Sequence, residues 1–185
     1  MIRPDRMTIK AQEAFRDAGE DARRRGNPVV NDAHLFLALL SQPEGVVQPL
    51  LQKAGLNVTA LTQATEREIA RFPTQQGGGA EPTLSREVNR VFDRAEQEAK
   101  SLGDQYVSTE HLLLALADVK SDAKEVLSAA GVDRRRVLAA VKSLREASGV
   151  TNVSRCCCFS ISGRTDSTAL SITHARLTRS FCNSM

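Results

Sequence analysis

Tryptophan is absent from the 185 residues, tyrosine occurs once, and aromatic residues together make up 4% of the chain. A core must therefore be built from Leu, Val and Ala, which suits closely packed short helices better than a sheet sandwich. Cysteine is missing from the first 150 residues, since Cys156, Cys157, Cys158 and Cys182 all follow them. That part of the chain needs no disulfide, as expected of a protein in a reducing cytosol. No apolar run approaches the roughly 20 residues of a membrane-spanning helix, and the N-terminus carries no signal-peptide stretch. The chain is expected to be cytoplasmic. A basic folded surface is also lacking. The net charge of +3 resides in residues 151–185, where Arg155, Arg164, Arg176 and Arg179 face Asp166 alone. The remainder is neutral, which argues against a duplex-binding module. The glycine run Gly77-Gly78-Gly79 has no lysine after it and no strand signal before it, so it reads as a flexible connection and not as a phosphate-binding loop. No other stretch offers a Walker motif.

What the chain does have is a repetition. Val30-Asn31-Asp32-Ala33-His34-Leu35-Phe36-Leu37-Ala38-Leu39-Leu40 returns, 77 positions on, as Val107-Ser108-Thr109-Glu110-His111-Leu112-Leu113-Leu114-Ala115-Leu116-Ala117. The same offset carries Thr8 onto Ser85, Phe15 onto Phe92, Ala22 onto Ala99 and Gly26 onto Gly103, and slips to 76 further on, where Ala54-Gly55 falls on Ala130-Gly131. One structural unit is built twice. Two copies are too few for a solenoid and imply two halves packed about an approximate two-fold axis.

The elements follow from period, caps and breakers. Thr8 is a candidate N-cap for a helix to about Arg25 with Ala11, Ala14, Phe15, Ala18 and Ala22 on one face. A short helix capped at Asn31 or Asp32 is apolar on almost all sides and must be buried. Helices near 46–54 and 58–71 close the first unit. Ser85 caps a second long helix to Leu102, followed by helices near 109–117, 122–130 and 134–147. The expected fold is all-α, with eight helices in repeats at about 8–71 and 85–147 joined by a linker at 72–84. A unit of about 150 residues buries roughly 70% of the surface its unfolded chain exposes, enough for one conventional core.

Several side chains invite chemistry. His34 and His111 occupy matched positions, but neither has a second metal ligand at helical spacing, so both read as imidazoles packed or hydrogen-bonded near a helix start. Arg23-Arg24-Arg25 and Arg134-Arg135-Arg136 read as solvated faces, the second among Asp133, Asp122 and Glu125. Cys157 or Cys182 with His174 would make a nucleophile and base only if a third group held them in place, which a tail without helical period does not offer. Glu110 lies in the first turn of its helix, where the dipole alone favours an acid by about 0.3–1 kcal/mol.

The twin units, the run Thr109-Glu110-His111-Leu112-Leu113-Leu114-Ala115-Leu116, the paired Ala54-Gly55 and Ala130-Gly131, and the opening Asp5-Arg6-Met7-Thr8 together resemble the N-terminal domain of the Clp/Hsp100 AAA+ ATPases over roughly residues 1–150, in particular its ClpB disaggregase branch. The resemblance implies a non-catalytic domain that binds exposed apolar segments of unfolded or aggregated proteins and passes them to an ATPase ring. Its substrate groove would match Thr8, Asp104 and Glu110, with Phe92 as an apolar contact beside them. Also implied are ATP and Mg in the full-length protein, a hexamer built by ATPase domains, and cooperation with the DnaK chaperone system. The isolated domain is then expected to be a monomer, without cofactor, metal, nucleic acid or membrane. The alternative is the ClpC-type N-domain, which receives adaptors or phosphorylated arginines on acidic residues in both repeats. Here the partner of Glu110 is Ala33, so one of those carboxylates is missing. From about Val150 the chain departs from the family pattern, and residues 150–185 are expected to be a disordered, non-native or frameshifted tail.

Overall fold

The structure is a computed structural model that describes residues 4–43, 45–75 and 81–147. After a short turn at Pro4–Arg6 come α1 (Ile9–Arg25), β1 (Val29–Val30), α2 (Asp32–Ser41), α3 (Val47–Lys53) and α4 (Val58–Ile69). The second repeat comprises β2 (Thr83–Leu84), α5 (Arg86–Leu102), α6 (Thr109–Leu116), α7 (Asp122–Ala129) and α8 (Arg134–Ala147). Among the described residues the eight expected helices are all present.

The local causes of each helix repeat as faithfully as the residues. Thr8 and Ser85 sit in extended conformation at the N-caps of α1 and α5, and their hydroxyls accept from the backbone N–H groups of Ala11 (3.3 Å) and Val88 (3.1 Å). Both helices end where the chain turns into the left-handed region, at Gly26 (φ 73°) and Gly103 (φ 79°), which only glycine enters without cost. In α2 and α6 the histidine at the third helical position reaches back: His34 Nδ1 accepts from the Asn31 N–H at 3.1 Å and His111 Nδ1 from the Ser108 N–H at 2.9 Å. Both histidines are hydrogen-bonded groups at helix starts.

The two repeats interlock. α2 and α6 lie at the centre and touch each other, α3 packs on α8, and α4 packs on α7. One hydrophobic cluster draws on both repeats, with Leu35, Phe36 and Leu39 from α2 meeting Leu112, Leu113 and Leu116 from α6. Each such leucine is stabilising by about 1.5–3 kcal/mol relative to exposure. Phe15 and Phe92, matched in the repeat, meet across the axis with ring centroids 4.7 Å apart and planes tilted by 58°. Asp32, at the start of α2, accepts from the Ala123 N–H at 2.7 Å and so ties itself to the first turn of α7. Burial raises the Asp32 pKa above the ordinary aspartate value, against the pull of that N–H.

Two backbone clasps have no counterpart in the sequence reading. Met7 pairs in parallel with Val107, with Thr8 N–H donating to Val107 O (3.0 Å) and Val107 N–H to Arg6 O (2.8 Å). At the symmetry-matched place β1 and β2 pair in parallel, Val29 with Thr83 and Val30 with Leu84, and Ser85 N–H donates to Val30 O at 3.0 Å. The residues that open each repeat are therefore held by the other repeat. The expected linker is tied at both ends: Gln75 N–H donates to Gly26 O (2.8 Å), Asn27 Nδ2 donates to Pro73 O (3.0 Å), and the last linker residues are β2 itself. Residues 76–80 of that linker, and the tail expected from 150 with its four cysteines and His174, lie outside the described residues.

The reading of Arg134 as part of a solvated face is corrected. Its guanidinium grips Glu98 on α5, a carboxylate 2% exposed, with contacts of 2.7–3.0 Å. Asp122 and Glu125, its expected neighbours, instead line an acidic groove with Glu87 and Lys120. Arg136 bridges the repeats by donating to Gly131 O and Ala54 O. No helix among the described residues is long and apolar enough to cross a membrane.

Candidate functional site

The tail of α5, the turn after it, the start of α6 and the last turn of α8 converge on a charged cluster. Because Gly103 turns the chain sharply, Asp104 comes to face the N-terminus of α6, where Glu110 and His111 lie in the first turn. Arg145 approaches from α8 and joins them. Its Nη2 donates to Asp104 Oδ2 at 2.6 Å and to Glu110 Oε1 at 3.2 Å, while its Nε donates to Glu110 Oε2 at 3.3 Å. Asp104 Oδ2 also lies 3.0 Å from His111 Nε2.

The protonation pattern follows from the hydrogen bonds. His111 Nδ1 accepts from the Ser108 backbone and so carries no proton, which places the ring N–H on Nε2, facing Asp104. Burial pushes the His111 pKa below the ordinary histidine value; Asp104 and Glu110 pull it back up, and Arg145 pushes it down again. For Arg145 burial works against the charge, yet hydrogen bonds to Glu110 and Asp104 hold its pKa above the ordinary arginine value. The cluster is an imidazole kept neutral beside two carboxylates that share one guanidinium. It remains within reach of water, with side-chain exposures of 25% for Arg145, 31% for Asp104 and 22% for Glu110.

Beside it runs an open cleft of about 340 Å³ whose lining includes Asp5, Arg6, Lys100, Asp104, Tyr106 and Val107. Tyr106 is exposed at its rim. At the matched place on the first repeat lies a second cleft of about 410 Å³, lined among others by Asn27, Pro28, Val29, Phe72 and Leu84. Asp104 is the residue shared by the first cleft and the charged cluster.

The sequence matches the family described as Clp repeat (R) N-terminal domain over residues 6–130. The chain belongs to this family. Among curated relatives it is 37% identical over 147 residues to the chaperone protein ClpB of Bacteroides thetaiotaomicron, covering 80% of this chain and 17% of that protein. It is 41% identical over 129 residues to ClpB of Propionibacterium freudenreichii, covering 69% of this chain and 15% of that protein. The chain thus spans about a sixth of the length of the curated relatives it matches. Among solved structures the Hsp104 N-terminal domain from Candida albicans superposes with a TM-score of 0.67 at 22% identity, covering 75% of this chain and 91% of that one. A ClpV N-domain in complex with a VipB peptide gives a TM-score of 0.57 at 18% identity, covering 74% and 89%. At these identities the structural likeness shows the fold. The part of the chain that matches is thus an N-terminal repeat domain of Clp chaperones and not an ATPase domain.

In this Clp N-domain Asp104 and Glu110 come together, 6 residues apart in sequence and joined through Arg145. Thr8 stands apart as the cap of α1, its backbone bound to Val107 on the cleft wall. Phe92 is 3% exposed and lies against Phe15. The expectation that Phe92 offers an apolar surface beside the polar groups therefore does not fit this conformation, because the ring is buried in the core against Phe15. Its place is beneath, holding α1 against α5. Arg145 was missed, because an arginine in the last turn of an exposed helix looks like any other solvated charge. A signal was present: the repeat carries Arg145 onto Ile69, so one position is apolar in one copy and cationic in the other.

Proposed function

We propose that this chain is the client-recognition domain of a ClpB-type ATP-dependent disaggregase, taking exposed apolar segments of unfolded or aggregated polypeptides and handing them to the AAA+ ring of its full-length protein. The observation that carries the reading is the double position of Asp104, in the wall of the cleft and in the charged cluster. An unfolded segment exposes apolar side chains together with unsatisfied backbone amides. A cleft rimmed by the exposed ring of Tyr106 takes the former, and carboxylate oxygens of Asp104 and Glu110 accept from N–H donors of the segment. The Thr8 hydroxyl, which already accepts from Ala11, retains a hydrogen to donate. Phe92 acts from below as a positioning residue. Support comes also from the ClpB relatives at 36–41% identity and from the ClpV N-domain solved with a peptide.

Each contact of this kind is weak, which suits a domain that must release its client, and several copies in a hexamer would restore retention. ATP and Mg, cooperation with the DnaK system and a cytoplasmic site of action belong to the same reading of the full-length protein. The test is a titration of the chain with reduced, carboxymethylated lactalbumin, followed by backbone amide chemical shifts. Movement of the Thr8, Asp104, Tyr106 and Glu110 amides is expected; movement confined to the opposite face would sink the proposal.

A further inference from the structure

The first repeat is an internal control for the second. Where the second has Asp104, Glu110 and Arg145, the first has Asn27, Ala33 and Ile69. Asn27 Oδ1 replaces the Asp104 carboxylate opposite its histidine, lying 3.2 Å from His34 Nε2. Ile69 is buried against Ala33, Leu37 and Phe72, so an apolar contact joins α4 to α2 where a guanidinium joins α8 to α6. The same helical module forms around either arrangement. Replacing a buried ion pair by packed apolar groups is often neutral or stabilising, so the helix arrangement alone does not call for the ionic version. What that version adds is exchangeability. All three of its side chains reach water, and one guanidinium can replace another on a carboxylate pair with no change in charge and the same hydrogen bonds.

We propose that Arg145 is an autoinhibitory occupant of the Asp104–Glu110 pair, holding the place that an arginine of a bound unfolded segment takes when it displaces it. The inference rests on the client-binding reading above and names the client class. A segment with an arginine beside apolar residues lays the latter along the exposed Tyr106 and exchanges its guanidinium for that of Arg145. A segment without a cation leaves Arg145 seated and gains the cleft and only those carboxylate lone pairs that Arg145 does not use.

The experiment uses the full 185-residue chain and two synthetic apolar peptides that differ only in one arginine or glutamine, with Kd read from amide shifts. In Arg145→Ile the Kd of the arginine peptide is expected to fall by about two- to fivefold, the scale of a partly exposed ion pair, and that of the glutamine peptide by a smaller factor, since only backbone N–H groups gain the freed oxygens. Arg145→Gln, which keeps the polarity of the site, should give the same change. The triple variant Asp104→Asn, Glu110→Ala, Arg145→Ile installs the residues of the first repeat and should abolish any preference between the peptides. An unchanged or weakened arginine peptide in both single variants, with the Asp104 and Tyr106 amides still moving, overturns autoinhibition and leaves the client reading standing. Stationary amides with either peptide in wild type and variants overturn both.

Discussion

Phe15 and Phe92 hold the same position in two repeats 77 residues apart and meet ring to ring at 4.7 Å, tilted by 58°. The two copies of one sequence position thus form a contact with each other, which is what an approximate two-fold axis requires of a residue that lies on it. Replacing Phe92 by Ala should cost about 3–5 kcal/mol, because the cavity opens in the seam between repeats where neither side can collapse independently. Urea unfolding read by circular dichroism gives the value, and a loss below about 1 kcal/mol would contradict the packing described.

Glu98 and Asp21 are repeat mates and both are buried carboxylates, but their partners differ. Asp21 is held by Arg24 and Arg25 from its own helix, Glu98 by Arg94 from its own helix and by Arg134 from α8. Arg134→Ala removes a link between elements and leaves a carboxylate 2% exposed with one cation fewer. The expected loss is about 2 kcal/mol, discounted from a fully buried pair because Arg134 itself is partly exposed, against under about 1 kcal/mol for Arg24→Ala. Parallel urea titrations of the two variants decide it, and equal losses would count against the role of the link.

Acid should loosen the domain through its two buried histidines. Burial lowers the folded-state pKa of His34 and His111 below the ordinary value of 6.5. The unfolded chain therefore binds protons more readily, and stability is fully present above about pH 6.5 and lost as pH falls below it, by at most about 1.4 kcal/mol per pH unit for each histidine. Protonation at Nδ1 would also set an N–H against the backbone N–H of Asn31 or Ser108, removing the contact that starts α2 or α6. Asp32 and Asp122, whose pKa values are raised chiefly by burial, work in the opposite direction. The urea midpoint measured from pH 7.5 to 5.5 should decline, and a flat profile would exclude this account.

Gly26→Ala meets two obstacles. The position has φ 73°, and an added Cβ would lie 3.3 Å from Gln75 O, the carbonyl at the end of the strap that returns over this turn. A loss of about 1–2 kcal/mol is expected, seen as a lower thermal midpoint.

The helices were legible from sequence because every signal occurs twice. Thr8 and Ser85, Gly26 and Gly103, His34 and His111 each state a boundary independently, and periodicity fills the interval between them. The clasps were not legible: two-residue pairings such as Val29–Val30 with Thr83–Leu84 are too short to show a period, and they are created by the packing they help to hold. The candidate site was legible in its carboxylates and hidden in its cation. Asp104 and Glu110 lie close together in the chain, whereas Arg145 reaches them only once α8 has packed on α6.

The exchange of clasps carries an implication for ancestry. Met7 finds its pairing partner at Val107 and Leu84 finds its own at Val30, so a chain with one copy would hold two unfilled ends and could complete neither from its own residues. The smallest self-sufficient forerunner of this architecture is then a homodimer.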